Sequence, residues 1–403
     1  MRLLLLGAVF VSVVASAACG GEAAPIVAPP KVPTTDTSTQ IISTHTAGTP
    51  AELRDRADKA LMARRYAEAI EPLEALRAAE PESKQAAEVL RDLGISYEAL
   101  GKRDRAKERY KEAWTKFPDS ASARTALLAY ANLVAYTEDW EELDKTAAIL
   151  LARRADDVVR ITGLGARGLS RIERTKDDVA AMRDVQDGLD LADQLHYGAS
   201  GRLPVGAAQL KFALAEVRRT RSEKITFANV VTEEFMGKFE MRCALLLDAQ
   251  SAYSDAIRSE DPRWAAMSGF RIGEMYQTIH RDLMAIPPVK LAKTKEDKDV
   301  FYSIMHVRYR VLLEKAGDMM DRTIGLGEKL DENSSWIDKS RATKKAIEKA
   351  IEDEKEIIKK LPYSEDDVQK ALEIMKRKAG AKAEKEAEER QKKAEKAEKK
   401  TKP

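Results

Sequence analysis

Apolar residues recur at three- and four-residue spacing through most of the chain, from Ala51 to about Leu361. This spacing is typical of amphipathic α-helices, and Pro residues or polar clusters separate one such segment from the next. Aromatic residues make up only 6% of the sequence, which disfavours a β-sandwich or barrel. The pattern therefore predicts an all-α chain in which helix follows helix.

One predicted helix pair repeats another along the chain. Ala69 and Pro81 recur as Ala106 and Pro118, in each case 37 residues later. A repeat of this length indicates a helical solenoid, in which each pair buries its apolar face against the next.

The second copy has the residue pattern of the tetratricopeptide-repeat (TPR) family. Gly94 and Ala106 are small where the two helices of one repeat would cross, and Pro118 would end the second helix. The remaining signature positions are filled by Leu90, Leu93, Tyr97, Tyr110 and Ala113. This segment resembles a TPR, which implies a TPR-like helix-turn-helix solenoid with about three repeats over 51–154.

The sequence before the repeats contains a targeting signal and a linker. Residues 1–19 combine a short apolar run with small residues before Cys19, which resembles a bacterial lipoprotein signal. The resemblance implies lipid attachment at Cys19 and an outer-membrane lipoprotein facing the periplasm, with the inner membrane or cell surface as alternatives. An ordinary signal peptide cleaved near Ala18 is the other interpretation. Residues 20–50, rich in Pro, Thr and Ala, are predicted to be a disordered tether.

The sequence after the repeats divides into two parts. Residues 155–375 keep the helical period without the signature and are predicted to be a divergent helical region. Residues 376–403 form a charged tail with 12 Lys or Arg and 6 Glu, hence a charge of +6. Asp261, placed before Pro262, is a predicted N-cap. Further helices are predicted over 156–174, 177–195, 206–221, 226–258, 297–324 and 336–361.

One glycine motif matches the spacing of a dinucleotide-binding loop. Residues 163–168 read GLGARG, but that fingerprint requires a buried strand before it and a βαβ unit around it. The preceding residues 156–161 are too short and too charged for such a strand. Small residues at a helix crossing are the preferred interpretation.

The sequence contains no other pattern that indicates catalysis or a cofactor. His45, His196, His280 and His306 are far apart and have no zinc-site spacing. Cys243 lies in an apolar segment and is predicted to be a buried small hydrophobic residue. A net charge of +2 gives no general attraction to nucleic acid. We therefore predict no catalytic, cofactor or metal site and no nucleic-acid partner.

The surface of the repeats remains as the functional candidate. In the TPR family the first helix of each repeat lines a concave face that binds extended or helical protein segments. By position in the repeats, the resemblance places these residues on that face: Arg54, Asp58, Leu61, Glu88, Arg91, Ile95 and Glu98. An ordinary solvated helix face is the alternative.

These features together predict a non-catalytic, lipid-anchored scaffold. Its partners would be proteins of a cell-envelope machine for assembly, secretion or motility. One alternative is a module that binds cell wall or another anionic surface through the basic tail 376–403. A third hypothesis is an envelope enzyme whose site the sequence does not reveal.

Overall fold

The computed structural model describes residues 48–153, 156–197, 204–227, 232–259, 261–288, 294–330, 334–364, 366–370 and 373. Within these ranges it contains thirteen long helices and no strand, which confirms the predicted all-α class. The helices are α1 (Pro50–Met62), α2 (Tyr66–Ala79), α3 (Ala86–Ala99), α4 (Arg103–Lys116), α5 (Ala121–Tyr136), α6 (Trp140–Ala152), α7 (Asp157–Thr175), α8 (Asp178–Gln194), α9 (Val205–Lys224), α10 (Thr232–Ile257), α11 (Pro262–Met284), α12 (Lys295–Leu330) and α13 (Ser335–Lys360).

The first helix begins inside the stretch predicted to be a tether. Pro50 is the first residue of α1, and Thr49 is its N-cap. The Thr49 hydroxyl accepts from the backbone N–H of Glu52, and the Glu52 carboxylate accepts from the backbone N–H of Thr49 at 2.8 Å. This capping box satisfies two backbone donors and fixes the start of the helix. Residues 1–47, with Cys19 and most of the predicted tether, lie outside the described ranges.

Helices α1 to α8 pack as four consecutive pairs. In α3 and α4, Leu90 and Leu93 are buried with Tyr110, and a Cβ at position 94 would overlap the Tyr110 ring. Gly94 therefore allows the close crossing that the repeat requires. Helix α4 ends at Lys116, two residues before Pro118. The TPR-like solenoid predicted from this pattern is confirmed.

The divergent region adds five longer helices. The Asp261 carboxylate accepts from the backbone N–H groups of Arg263 and Trp264, which confirms it as the N-cap of α11. Helix α12 ends at Leu330, six residues later than predicted. It runs through Gly325, whose position has open space around it. The predicted tail, 376–403, lies outside the described ranges.

Helix α9 packs against both helices of the fourth pair, and most closely against α7. A Cβ at Gly206 of α9 would lie 2.6 Å from the hydroxyl oxygen of Thr162, and a Cβ at Gly165 of α7 would lie 3.4 Å from the backbone of Leu210. The missing side chains allow these two backbones to approach closely. Thr162 of α7 is therefore covered by the start of α9.

The C-terminal helices also return to the second and third pairs. The Arg263 guanidinium donates to the Glu98 carboxylate, although the two residues are 165 positions apart. The indole N–H of the fully buried Trp336 donates to the backbone carbonyl of Tyr136 at 3.0 Å. Glu138, in the turn after α5, pairs with Lys339 and Arg271. We call these contacts the return seam.

Candidate functional site on the inner face

The structure brings four of the predicted groove residues together. Arg54 of α1 reaches the Asp58 carboxylate at 2.6 Å and the Glu88 carboxylate of α3 at 3.5 Å. Arg91, one turn after Glu88, lies 3.3 Å from the same Glu88 oxygen. These ion pairs join the first helices of the first two repeats, so their charged groups form one surface.

Asp92 is the centre of this arrangement, and sequence reasoning missed it. Its carboxylate accepts from Arg54 at 3.0 Å and from Arg91 at 2.6 Å, while the residue is only 3% exposed. Burial raises the pKa of Asp92 above its ordinary value, although the two guanidinium groups oppose this effect. A carboxylate on the apolar side of an amphipathic helix, directly before Leu93, was the signal that could have revealed it.

The two arginines are held in fixed positions. Arg91 donates through Nε and Nη2 to one oxygen of Asp92, and through Nη1 to the Ser122 hydroxyl of α5 at 3.2 Å. Such contacts restrict the side-chain rotamers before any partner arrives. The inner face of α1 and α3 is therefore preorganised, with Asp58 and Glu88 on its more exposed side.

The apolar residues of the predicted groove have different environments. Ile95 is 38% exposed, and several other large apolar side chains of the chain are exposed as well. Leu61 instead packs against the small core formed by α1, α2 and α3. Ile95 is therefore the apolar contact that this face offers. We use "open inner face" for Arg54, Asp58, Glu88, Arg91 and Ile95.

Glu98 lies apart from the open inner face. Its carboxylate accepts from the Tyr110 hydroxyl at 2.7 Å and pairs with Arg263 of α11. Burial, together with the charge of Glu98, raises the pKa of Tyr110 far above its ordinary value. Glu98 is thus occupied by the chain itself in the return seam.

The inner faces of the third and fourth pairs are covered. Asn132 and Ala135 of α5 are 7% and 0% exposed. On α7, Thr162 is buried against the start of α9, and Leu169 is buried as well. The chain therefore leaves an inner face open only toward its first two repeats, within the described residues.

The three glycines of 163–168 lie inside helix α7. Each one faces a different neighbouring helix, so a side chain at any of them would press on that neighbour. The neighbours of Gly163, Gly165 and Gly168 are Leu150, Leu210 and Val185, respectively. The interpretation as small residues at helix crossings is confirmed, and the dinucleotide-binding interpretation is not supported.

Two of the four histidines meet at a single carboxylate. Glu354 of α13 lies 2.7 Å from Nδ1 of His306 and 3.5 Å from Nε2 of His280. Burial alone would raise the pKa of Glu354, but the two histidines outweigh it and lower the value to about 2. No cluster suited to a metal ion occurs among the described residues. His196 follows α8, and His45 lies outside the described ranges.

A second buried cluster ties the divergent region to α7. Glu216 of α9 is fully buried and accepts from the Tyr253 hydroxyl at 2.9 Å and from Arg219 at 2.6 Å. Burial and the neighbouring Glu216 raise the pKa of Glu173 to about 7. Burial would also raise the pKa of Glu216, but Arg219 and Arg271 hold it below its ordinary value. No sequence pattern had singled out this cluster.

Cys243 lies on α10 and is half-buried, so it is less buried than predicted. Burial raises the pKa of its thiol to about 11, so the reactive thiolate is disfavoured. No helix in the described part of the chain has both the length and the apolar character to cross a bilayer.

Residues 88–120 match the family described as tetratricopeptide repeat. A solved structure, of a tetratricopeptide repeat protein from Parabacteroides merdae ATCC 43184, is similar to the chain at 14% identity. The similarity covers 72% of this chain and 98% of that one, with a TM-score of 0.38. No curated protein sequence matches the chain at a significant level.

Proposed function

Because α3 and α4 form a tetratricopeptide repeat, a fold that serves protein–protein interaction, we propose that this chain is a non-catalytic scaffold. Its open inner face would bind a segment of a partner protein. One observation carries this proposal. The residues of α5 and α7 that correspond to this face are buried, whereas the side chains of Asp58, Glu88 and Ile95 on α1 and α3 are between 38% and 45% exposed.

The properties of the open inner face suit a protein segment. Fixed charged groups around Asp92 can hydrogen-bond to a partner backbone or side chain at little entropic cost. Ile95 adds an apolar contact beside them. A small apolar contact within a polar rim is the usual composition of a protein-binding surface.

We further propose a location and a class of partner. The lipoprotein-like signal before Cys19 supports lipid anchoring, and the composition of 20–47 supports a flexible connection to the first helix. The partner would then be an envelope protein of an assembly, secretion or motility machine, reached from the periplasmic side of the outer membrane. A Cys19→Ser variant should leave the membrane fraction, and continued membrane retention would contradict the lipid anchor.

The test is affinity capture of the mature protein from detergent-solubilised envelopes. Ile95→Asp places a charge on the open inner face. Ile357→Asp is the matched control, because Ile357 of α13 is 39% exposed against 38% for Ile95. Arg91 is left unchanged, because its loss would remove one of the two guanidinium groups that pair with the buried carboxylate of Asp92. A third variant lacks 376–403, and thermal unfolding checks that all variants remain folded.

The scaffold is supported if the wild type and the Ile357→Asp control capture a defined protein and Ile95→Asp does not. Equal capture by Ile95→Asp would contradict binding at this face. If wall or lipid material is retained instead and is lost with 376–403, the alternative of surface binding through the +6 tail replaces the scaffold.

A further inference from the structure

Helix α7 exposes a row of arginines on the side opposite to α9. Positions 160, 167, 171 and 174 fall on one face of a helix with 3.6 residues per turn, and the row is about 21 Å long. All four side chains are between 33% and 40% exposed. The row consists of Arg160, Arg167, Arg171 and Arg174.

The row lies at the bottom of a cleft. Its walls are α6 and α8, because Arg174 pairs with Asp144 of α6 and Arg167 pairs with Asp184 of α8. At one end of the cleft a cavity of about 490 Å³ opens to solvent. Its lining is half basic and half aliphatic: Arg160, Arg167, Leu151 and Leu164.

The carboxylates within the cleft satisfy only part of the arginine donors. Asp157 accepts from Arg160 at 2.9 Å, and Asp144 accepts from Arg174 at 2.7 Å, each through one Nη1. The buried carboxylate of Asp184 accepts hydrogen bonds from both remaining arginines, Arg167 and Arg171. A guanidinium has five N–H donors, so the four arginines retain donors beyond those that the three aspartates accept.

We propose that this cleft binds an extended acidic segment of a partner protein. Its carboxylates would pair with the arginine row, and an aliphatic side chain would enter the cavity over Leu151 and Leu164. Arginine is suited to this role because its planar fork pairs with a carboxylate through two hydrogen bonds.

The length of the row favours a chain over a single small anion. A phosphate or a lipid headgroup would meet one or two guanidinium groups, whereas the row extends over four turns of helix. In an extended segment, alternate side chains point the same way about every 7 Å, which allows several carboxylates to meet the row. This site is separate from the open inner face, so it does not depend on the proposed function above.

The experiment measures binding of a fluorescent peptide of alternating Glu and Leu to the full chain. The test variant is Arg160→Glu with Arg174→Glu, because both aspartate partners are more than 40% exposed and tolerate the loss. Arg167 and Arg171 are left in place, since they neutralise the buried Asp184.

The control variant is Arg258→Glu with Arg341→Glu. Arg258 lies in the loop before α11, and Arg341 lies on α13. It makes the same change in charge and, like Arg160, each control arginine pairs with an aspartate three residues before it. The comparison probes are the matching Lys/Leu peptide, inorganic phosphate and vesicles containing an anionic lipid.

The expected result is that the Glu/Leu peptide binds the wild type and the control equally and binds the test variant at least tenfold more weakly. Ile95→Asp should bind it as the wild type does. Any of three results would overturn the proposal. The Glu/Leu peptide does not bind the wild type, its affinity falls equally in the test and control variants, or the Lys/Leu peptide binds the wild type as tightly as the Glu/Leu peptide does. Competition by millimolar phosphate, or vesicle binding lost only in the test variant, would replace the peptide with a phosphate or a lipid.

Discussion

At the scale of single residues, the buried carboxylate of Asp92 holds Arg54 and Arg91 in place on the open inner face. The positions of Arg54 and Arg91 on the first helices of two repeats followed from the repeat register. That their guanidinium groups meet at one buried carboxylate depends on the rotation of α1 against α3, which packing sets. The exposed and buried roles of neighbouring polar residues were therefore not predictable from spacing alone.

Replacing Gly94 with Ala should destabilise the second repeat. The added methyl would overlap the buried ring of Tyr110, and overpacking of this kind costs about 1–3 kcal/mol. The control is Gly325→Ala in α12, where nothing lies near the added atom and helix propensity should contribute up to about 1 kcal/mol of stability. Urea unfolding measures both, and equal effects at the two positions would contradict the close crossing.

The raised pKa of Glu173 predicts a loss of stability as the pH rises. A carboxyl group whose pKa is higher in the folded state binds its proton more tightly there, so folding is favoured at low pH. Between the ordinary value of 4.5 and about 7 the free energy of unfolding should therefore fall as the pH rises. The full contribution is present below pH 4.5 and absent above about pH 7.

The measurement is urea unfolding at several pH values for the wild type and Glu173→Gln. The variant cannot ionise at this position, so its decline between pH 4.5 and 7 should be smaller. Glu108→Gln, at an exposed position of α4, is the control and should follow the wild type. Parallel curves for all three proteins would show that Glu173 is not responsible.

At the scale of helices, the presence of a helix was easier to predict than the residue at which it ends. The Asp261 cap was recognised because its side-chain oxygen and the following Pro act locally. The predicted end of α12 at 324 lies just before Gly325, a residue type favoured after helix ends, whereas α12 continues past it while packed against α11 and α13. Tertiary contact outweighed the local preference.

The return seam should lose stability when the indole N–H of Trp336 is removed. Trp336→Phe keeps an aromatic ring but leaves the Tyr136 carbonyl without its buried donor, which costs about 1–3 kcal/mol. Hydrogen exchange should accelerate in α13 and at the end of α5. Trp140→Phe, at a half-buried position that starts α6, is the control and should change exchange only near α6. An unchanged exchange rate in α13 would contradict the role of this contact.

At the scale of the whole molecule, the return seam alters how a solenoid should unfold. Repeat arrays in which each unit contacts only its neighbours open gradually along the chain. Here α3, α5, α11 and α13 are joined across long sequence distances, while α1 and α2 pack in a separate small core against one side of α3. Such contacts are beyond sequence reasoning, because residues 165 positions apart show no local signal.

Native-state hydrogen exchange with denaturant can test this. We expect α1 and α2 to open with a lower free energy than the rest, and the most protected amides of α3 to α13 to share one opening free energy. A smooth gradient of opening free energies from one end of the array to the other would contradict the prediction.

The burial of the corresponding residues on α5 and α7 limits how much of a ligand the open inner face can contact. A segment that lies across α1 and α3 covers a width of about two helices, roughly 20 Å. Any additional length would extend beyond α1, where this face ends. Lengthening such a ligand past these two helices should therefore not tighten its binding.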